Sequence, residues 1–131
     1  MTVGDNYTPG LCNIGEDEIR RRRLAGWVGA AGTGILWLVL VATSAPPAWH
    51  LIIFLPALIG AAGFAQAASR FCFHFGFAGI FNFGRAGHRE QVAEPEARRL
   101  DRSTASRVLA ISCAIAAIVT LVAYGSALVF G

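Results

Sequence analysis

Residues 51–84 read LIIFLPALIGAAGFAQAASRFCFHFGFAGIFNFG, a 34-residue stretch in which Arg70 is the only charge. Its first part, residues 51–69, is long and apolar enough for a helix that crosses the hydrocarbon core of a bilayer, which takes about 20 residues. Its last part, residues 71–84, is too short for another crossing and contains six phenylalanines. The stretch therefore predicts a membrane-spanning helix followed by an aromatic segment.

Phenylalanine occupies every second position from 71 to 77, a spacing that formally indicates a β-strand. The backbone groups of an open strand edge have no partner in lipid, which disfavours a strand at membrane depth. We expect residues 71–84 either to continue the preceding helix or to lie along the membrane surface as an interfacial segment.

Two further apolar runs lie outside this stretch, at residues 24–43 and 108–130. The first has 20 residues without a charge, which as a helix would be about 30 Å long. Of the 131 residues, 55% are hydrophobic and only 15% are charged, values that place the chain among membrane proteins.

The predicted fold is an all-α polytopic membrane protein with three transmembrane helices and a phenylalanine-rich interfacial segment. The prediction divides the chain into an N-terminal segment (1–23), a transmembrane helical hairpin with the interfacial segment (24–84), an arginine-rich loop (85–107) and a third transmembrane helix (108–131).

Two helix starts are indicated by the residues themselves. The first helix is expected to begin at the acidic residues 16–18, which suit the positive end of a helix dipole, with Asn13 or Gly15 as its cap. Ser103 or Thr104 is the expected cap ahead of the third span.

The arginines predict the orientation of the chain. All eleven basic residues are arginine, and they lie in residues 20–23, at Arg70 and in residues 85–107, whereas the connection at 44–50 has none. Since positively charged loops remain inside, we expect the N-terminus and the loop in the cytoplasm and the C-terminus outside a bacterial inner (plasma) membrane. Membrane orientation explains the net charge of +3 better than nucleic-acid binding does. The expected partners are the lipid bilayer and other membrane subunits or a second copy, with no nucleic acid.

Small residues recur at helical spacing in the first two apolar runs. They are Gly26, Ala30 and Gly34 in the first run and Ala57, Ala61 and Ala65 in the second. Such stripes let helix backbones approach closely in lipid and predict that the two helices pack together; ordinary tolerance of glycine in a spanning helix is the alternative. Gln66 is expected to hydrogen-bond to the neighbouring helix, at Thr33 or a free carbonyl.

Cys12, Cys72 and His74 are the candidate chemical groups, because the predicted topology places them near the cytoplasmic face together with Cys113. Thiolate and imidazole groups can bind zinc or another soft metal, and thiols support exchange reactions. On an ideal helix Cys72 and His74 point about 200° apart, so a shared ion requires an extended or turn conformation. The alternative is structural, with the cysteines as small buried hydrophobic groups and His74 as an interfacial polar group.

No other cofactor is expected. His50 and His74 would lie about 36 Å apart along a helix, which excludes a haem held by both within one chain. The apolar runs contain no Asp, Glu, Lys or Arg, which weighs against an ion-coupled transporter. The sequence also lacks a phosphate-binding loop and a Ser-His-Asp arrangement.

The leading prediction is a small non-catalytic accessory or scaffold subunit of a larger membrane complex or homo-oligomer. One alternative is a thiol- or metal-handling module that uses Cys72 with Cys12 or His74. A small-solute channel or transporter is the second alternative.

Two hexapeptides are similar to each other: GLCNIG at residues 10–15 and GIFNFG at residues 79–84. Each is followed by an arginine-bearing approach to a membrane span. A shared capping or interface role and a chance similarity are both open.

The Asn-Ile-Gly at 13–15, the charged helix start at 16–23, the apolar hairpin and Cys72 with Asn82 together resemble the small two-helix inner-membrane domain of the YgaP-like family. That domain occurs alone or behind a rhodanese sulfurtransferase domain, and the resemblance covers residues 12–84. It implies a membrane domain with a sulfur-handling association and gives functional weight to Cys72. The loop and third span have no counterpart in that domain.

Overall fold

A computed structural model describes residues 7–84 and 89–130 of the chain. The helices are α1 (Glu16–Ala42), a 3₁₀ helix (Pro47–Ile53), α2 (Phe54–Ser69), the short α3 (Phe73–Ala78) and α4 (Pro95–Phe130). Two short strands, β1 (Ile80–Phe81) and β2 (Glu90–Gln91), pair antiparallel.

The prediction of an all-α membrane protein with three spanning helices is confirmed. Within the described residues, three helical stretches are long and apolar enough to cross a membrane: Glu16–Ala42, Pro47–Ser69 and Pro95–Phe130. The first begins at Glu16 after Gly15, as predicted, with three acidic residues in its first turn.

The start of α4 differs from the prediction. The helix begins at Pro95, so Ser103 and Thr104 lie inside it rather than at its cap. Proline fits the first turn of a helix because no backbone N–H is needed there, and the Glu, Ala, Arg and Leu residues at 96–100 favour helix. The second half of the predicted loop 85–107 is therefore helical.

α1 and α2 pack against each other as a close antiparallel hairpin. A methyl group on Gly29 would overlap the backbone nitrogen of Gly60, and one on Gly63 would overlap the backbone of Gly26. Small residues permit this backbone contact, which is a source of packing energy where no water is present.

α4 packs across the hairpin through a face of small residues. Ala116 and Ala123 of α4 share a buried cluster with Leu40 of α1 and Ala57 of α2. The N-terminal end of α4 consequently lies beside the start of α1 and the end of α2.

Residues 71–84 do not continue α2. That helix ends at Ser69, because Arg70 adopts a left-handed backbone conformation with φ of 55°. The chain then turns back, and Phe71 packs in a buried cluster with Ala105 and Val108 of α4. We refer to residues 7–15, 70–84 and 89–94, which fold together at this end of the three helices, as the cap.

Candidate functional site

The two similar hexapeptides meet inside the cap. Ile14 and Asn82 form a parallel β-bridge. The Asn82 N–H donates to the Asn13 carbonyl at 2.9 Å, and the Gly15 N–H donates to the Asn82 carbonyl at 2.8 Å. The first glycine of each hexapeptide, Gly10 and Gly79, has a positive φ of 73° and 72° respectively, a conformation that glycine adopts without steric cost.

Asn13 connects the N-terminal segment to the residue after α2. Its side chain is fully buried and makes two hydrogen bonds with the backbone of Cys72. The Cys72 N–H donates to Asn13 Oδ1 at 2.8 Å, and Asn13 Nδ2 donates to the Cys72 carbonyl at 3.1 Å. The paired bonds satisfy a backbone segment that is otherwise outside any regular element.

Glu18 supplies a buried carboxylate beneath the second hexapeptide. Asn82 Nδ2 donates to Glu18 Oε1 at 3.1 Å, and the Arg22 guanidinium forms an ion pair with the other carboxylate oxygen. Because an ionised carboxylate is costly to bury without such partners, this pair fixes the first turn of α1 against the cap.

Cys72 lies against the same guanidinium. Arg22 Nη2 is 2.9 Å from the Cys72 sulfur, and the guanidinium carbon stands 5.2 Å from the centre of the Phe75 ring. The Cys72 backbone is extended, with φ of −94° and ψ of 118°. The side chain is only 2% exposed, so the sulfur sits at the base of the cap rather than on its surface.

An open groove of about 400 Å³ passes over Cys72 between α1 and α3. Three guanidiniums and one carboxylate line it, which leaves the groove with a net positive charge. The charged and chemically reactive residues of the groove are Glu18, Arg21, Arg22, Arg89, Cys72 and His74.

The structure divides the three candidate metal ligands between two places. Cys72 and His74 line one groove, whereas Cys12 lines a different cavity beside Arg70 and Phe83. Within residues 7–84 and 89–130, no group of three or more His, Cys, Asp or Glu side chains is placed to hold a metal ion. Cys113 lies in α4 and is half-buried.

The predicted packing residues take several roles. Gly26 contacts α2 at Gly63, and a Cβ atom on Gly60 would lie 3.1 Å from the Ala30 nitrogen. Gly34 faces open space, since an added Cβ there would meet no described atom within 4 Å. Close contact with α2 thus uses Gly26 and Gly29, a spacing of three that the predicted i,i+4 stripe omitted.

The alanines of the second predicted stripe face largely towards α4. Ala57 shares the cluster that contains Ala116, and Ala65 packs against the cluster around Phe71 and Ala105. Ala61 lines a shallow groove between the hairpin and α4.

Gln66 has a different partner from the expected one. Its Nε2 donates to the Ala62 carbonyl of its own helix at 3.0 Å, and its Oε1 accepts from the Phe73 N–H at 3.2 Å. Thr33 bonds to Gly29 within α1. Gln66 bonds locally because α2 ends at Ser69. The first N–H groups of α3 have no partner within their own helix, and that of Phe73 lies within reach of the Gln66 side chain.

Asp101 is a site residue that the sequence reasoning did not identify. This buried carboxylate on α4 accepts a hydrogen bond from the Gly10 N–H at 2.7 Å and another from the Tyr7 hydroxyl. Burial, followed by this bond to Asp101, raises the pKa of Tyr7 above its ordinary value. The sequence did contain a sign of its burial, because Asp101 lies four residues from both Ala97 and Ala105 and so shares their buried face of α4.

Comparison of the chain with protein-family models, curated proteins and solved structures finds no match. The resemblance to YgaP-like membrane domains stays a prediction.

Proposed function

We propose that the chain is a non-catalytic accessory or scaffold subunit of a bacterial inner membrane, with the cap in the cytoplasm and the C-terminus outside. The observation that carries the proposal is the use made of the buried polar side chains. Asn13, Glu18 and Asn82 are spent on hydrogen bonds that hold the cap together. These buried polar side chains lie near Cys72, and their hydrogen bonds give them a structural role rather than a catalytic one.

The polar residues buried in the third span support the same proposal over a small-solute channel or transporter. Ser112 donates to the Val108 carbonyl at 2.8 Å, and Thr120 donates to the Ala116 carbonyl at 2.7 Å. Hydroxyls bonded to their own helix offer little to a passing solute.

Photocrosslinking tests the subunit proposal. A photoreactive amino acid at Val122, which lines an apolar groove between α1 and α4, is expected to give a discrete adduct with a protein subunit or a second copy of the chain. Leu128 is similarly exposed but does not line that groove, and is the matched control. Adducts with lipid alone at both positions would contradict the proposal.

A second candidate function is thiol exchange at Cys72, and the contact between its sulfur and Arg22 favours it. A guanidinium beside the sulfur can hold an anionic substrate next to it, and the thiolate is the nucleophile of thiol exchange. The thiolate would attack a small anionic disulfide, form a mixed disulfide with one half and release the other half as a thiolate. That exchange is balanced without a further oxidant, and the arginines of the groove would attract the anionic substrate.

Alkylation kinetics separate the two candidates. The measured quantity is the rate of Cys72 modification by anionic iodoacetate divided by its rate with neutral iodoacetamide. If Cys72 exchanges thiols, this ratio is higher in the folded protein than for a free thiol in solution. Arg89→Gln, inside the groove, lowers this preference, whereas Arg23→Gln, outside it, does not. Modification of Cys72 only after unfolding would rule out thiol exchange, and the scaffold function would then be the remaining candidate.

A further inference from the structure

His50 lies at the end of the helices opposite the cap, in the 3₁₀ helix that precedes α2, and is 2% exposed. Its Nδ1 is 3.4 Å from the Pro46 carbonyl oxygen. A carbonyl oxygen can only accept, so Nδ1 carries the hydrogen in this contact. In the neutral ring, Nε2 is then an acceptor with a free lone pair.

The second ring nitrogen has no such contact. His50 Nε2 is buried and has no hydrogen-bond partner among residues 7–84 and 89–130. Most buried polar atoms in proteins are paired, and one that is not calls for a ligand or another explanation.

A cavity of about 240 Å³ adjoins His50 between the C-terminal ends of α1 and α4. An apolar cavity of about 150 Å³ is enough to hold benzene, so a substituted six-membered ring fits this volume. The walls are mainly apolar and aromatic; they include Trp37, Leu40, Val41, Ala45, Ala127 and Phe130.

Of the two serine hydroxyls in the wall, Ser44 is at an exposed position and Ser126 is already bonded. Its hydroxyl donates to the Ala123 carbonyl at 2.7 Å and accepts from Trp37 Nε1 at 3.2 Å. The buried acceptor left for a ligand is His50 Nε2. Phe130 and Trp37 are exposed on the outer side of the cavity, where a membrane-soluble molecule would enter.

We propose that this cavity binds the ring of a lipid-soluble quinol, whose hydroxyl donates a hydrogen bond to His50 Nε2. The ring occupies the apolar space beside Trp37 and Ala127, and its hydrophobic tail extends past Phe130 into the bilayer. The tautomer sets the specificity: a quinol has a hydroxyl to donate, whereas the corresponding quinone has only carbonyl acceptors, which would face the Nε2 lone pair.

The test uses the full chain in lipid nanodiscs, with decylubiquinol and decylubiquinone as probes under anaerobic conditions. Binding is followed by quenching of Trp37 fluorescence in a Trp27→Phe, Trp49→Phe background. The quinol is expected to quench saturably, with an affinity about tenfold higher than that of the quinone, the effect of one hydrogen bond.

Two variants locate the site. His50→Leu is expected to remove the preference for the quinol, and Ala127→Leu, which fills the cavity without touching the imidazole contact to Pro46, to abolish binding of both probes. Ala110→Leu, exposed on the cap-side half of α4, is the control and binds as the parent does.

The proposal is overturned if neither probe quenches saturably, if the quinone binds as tightly as the quinol, or if Ala127→Leu binds like the parent. Because Ala127→Leu leaves His50 in place, the test stands even if His50→Leu does not fold.

Discussion

Asn13 and Cys72, 59 positions apart in the sequence, exchange two hydrogen bonds between one buried carboxamide and one backbone segment. This contact joins the chain before α1 to the chain after α2. It closes the cap over the arginine-rich ends of the helices, and the cap brings Arg22 to the Cys72 sulfur.

Asn13→Ala is expected to lower the free energy of unfolding by about 1–3 kcal/mol, because it leaves the buried N–H of Cys72 without a partner. The Cys72 carbonyl loses one of its two hydrogen bonds and keeps the one from the Gly76 N–H at 2.9 Å. Unfolding by SDS titration in mixed micelles measures the effect. Leu11→Ala, an exposed position in the same segment, is the control and should change the value by less than about 0.5 kcal/mol. Equal effects of the two substitutions would contradict the role assigned to Asn13.

Two adjacent acidic residues provide a matched comparison of buried and exposed charge. Glu18→Gln leaves the partly buried Arg22 without a carboxylate and should cost about 3 kcal/mol. Asp17→Asn removes an exposed ion pair with Arg20, at 3.0 Å, and should cost less than about 0.5 kcal/mol. The same SDS titration applies, and a small effect of Glu18→Gln would show that its carboxylate does not hold the cap.

Gly29→Ala should separate α1 from α2, because the new methyl group overlaps the Gly60 backbone. A cost of about 1–3 kcal/mol is expected from overpacking of this kind. Gly34→Ala makes the same chemical change in the same helix, where the methyl group meets open space, and should be neutral or stabilising by up to about 1 kcal/mol. A reversed order would rule out the observed register of the hairpin.

The raised pKa of Tyr7 predicts that the folded protein loses stability at alkaline pH. Its folded pKa is raised by burial and by the bond to Asp101, so the folded state keeps the phenolic proton after the unfolded state begins to lose it. The contribution is complete below about pH 10, the unfolded value for tyrosine, and declines as the pH rises above it. Unfolding measured at pH 8 and pH 11 should show a smaller difference for Tyr7→Phe than for the parent. An unchanged difference would contradict the buried Tyr7–Asp101 contact.

The three spans could be predicted from the sequence because each depends on a local property, an apolar run of sufficient length. The start of α1 was likewise predictable from acidic residues next to one another. The start of α4 was not, because the polar residues ahead of the apolar run look like a loop. They are helical because Asp101 and Thr104 bond to Gly10, at the far end of the chain.

The cap could be predicted only in part. The similarity of residues 10–15 and 79–84 left a shared role and a chance resemblance both open, and nothing in either hexapeptide indicates that Ile14 pairs with Asn82. Likewise, the non-helical backbone at Cys72 depends on Asn13, a distant residue, so helical geometry placed Cys72 and His74 on opposite faces. Long-range hydrogen bonds of this kind leave no periodic signal in the sequence.

Labelling by a membrane-impermeant maleimide tests most directly whether three crossings gather the cap on the cytoplasmic side. Single cysteines are introduced at the exposed positions Leu11, Ser44 and Arg102, in a chain whose own cysteines are replaced by serine. In intact cells with a permeable outer layer, Ser44→Cys should be labelled, whereas Leu11→Cys and Arg102→Cys should react only after lysis. Labelling of Leu11→Cys and Arg102→Cys from opposite sides, or of Ser44→Cys only after lysis, would contradict this arrangement.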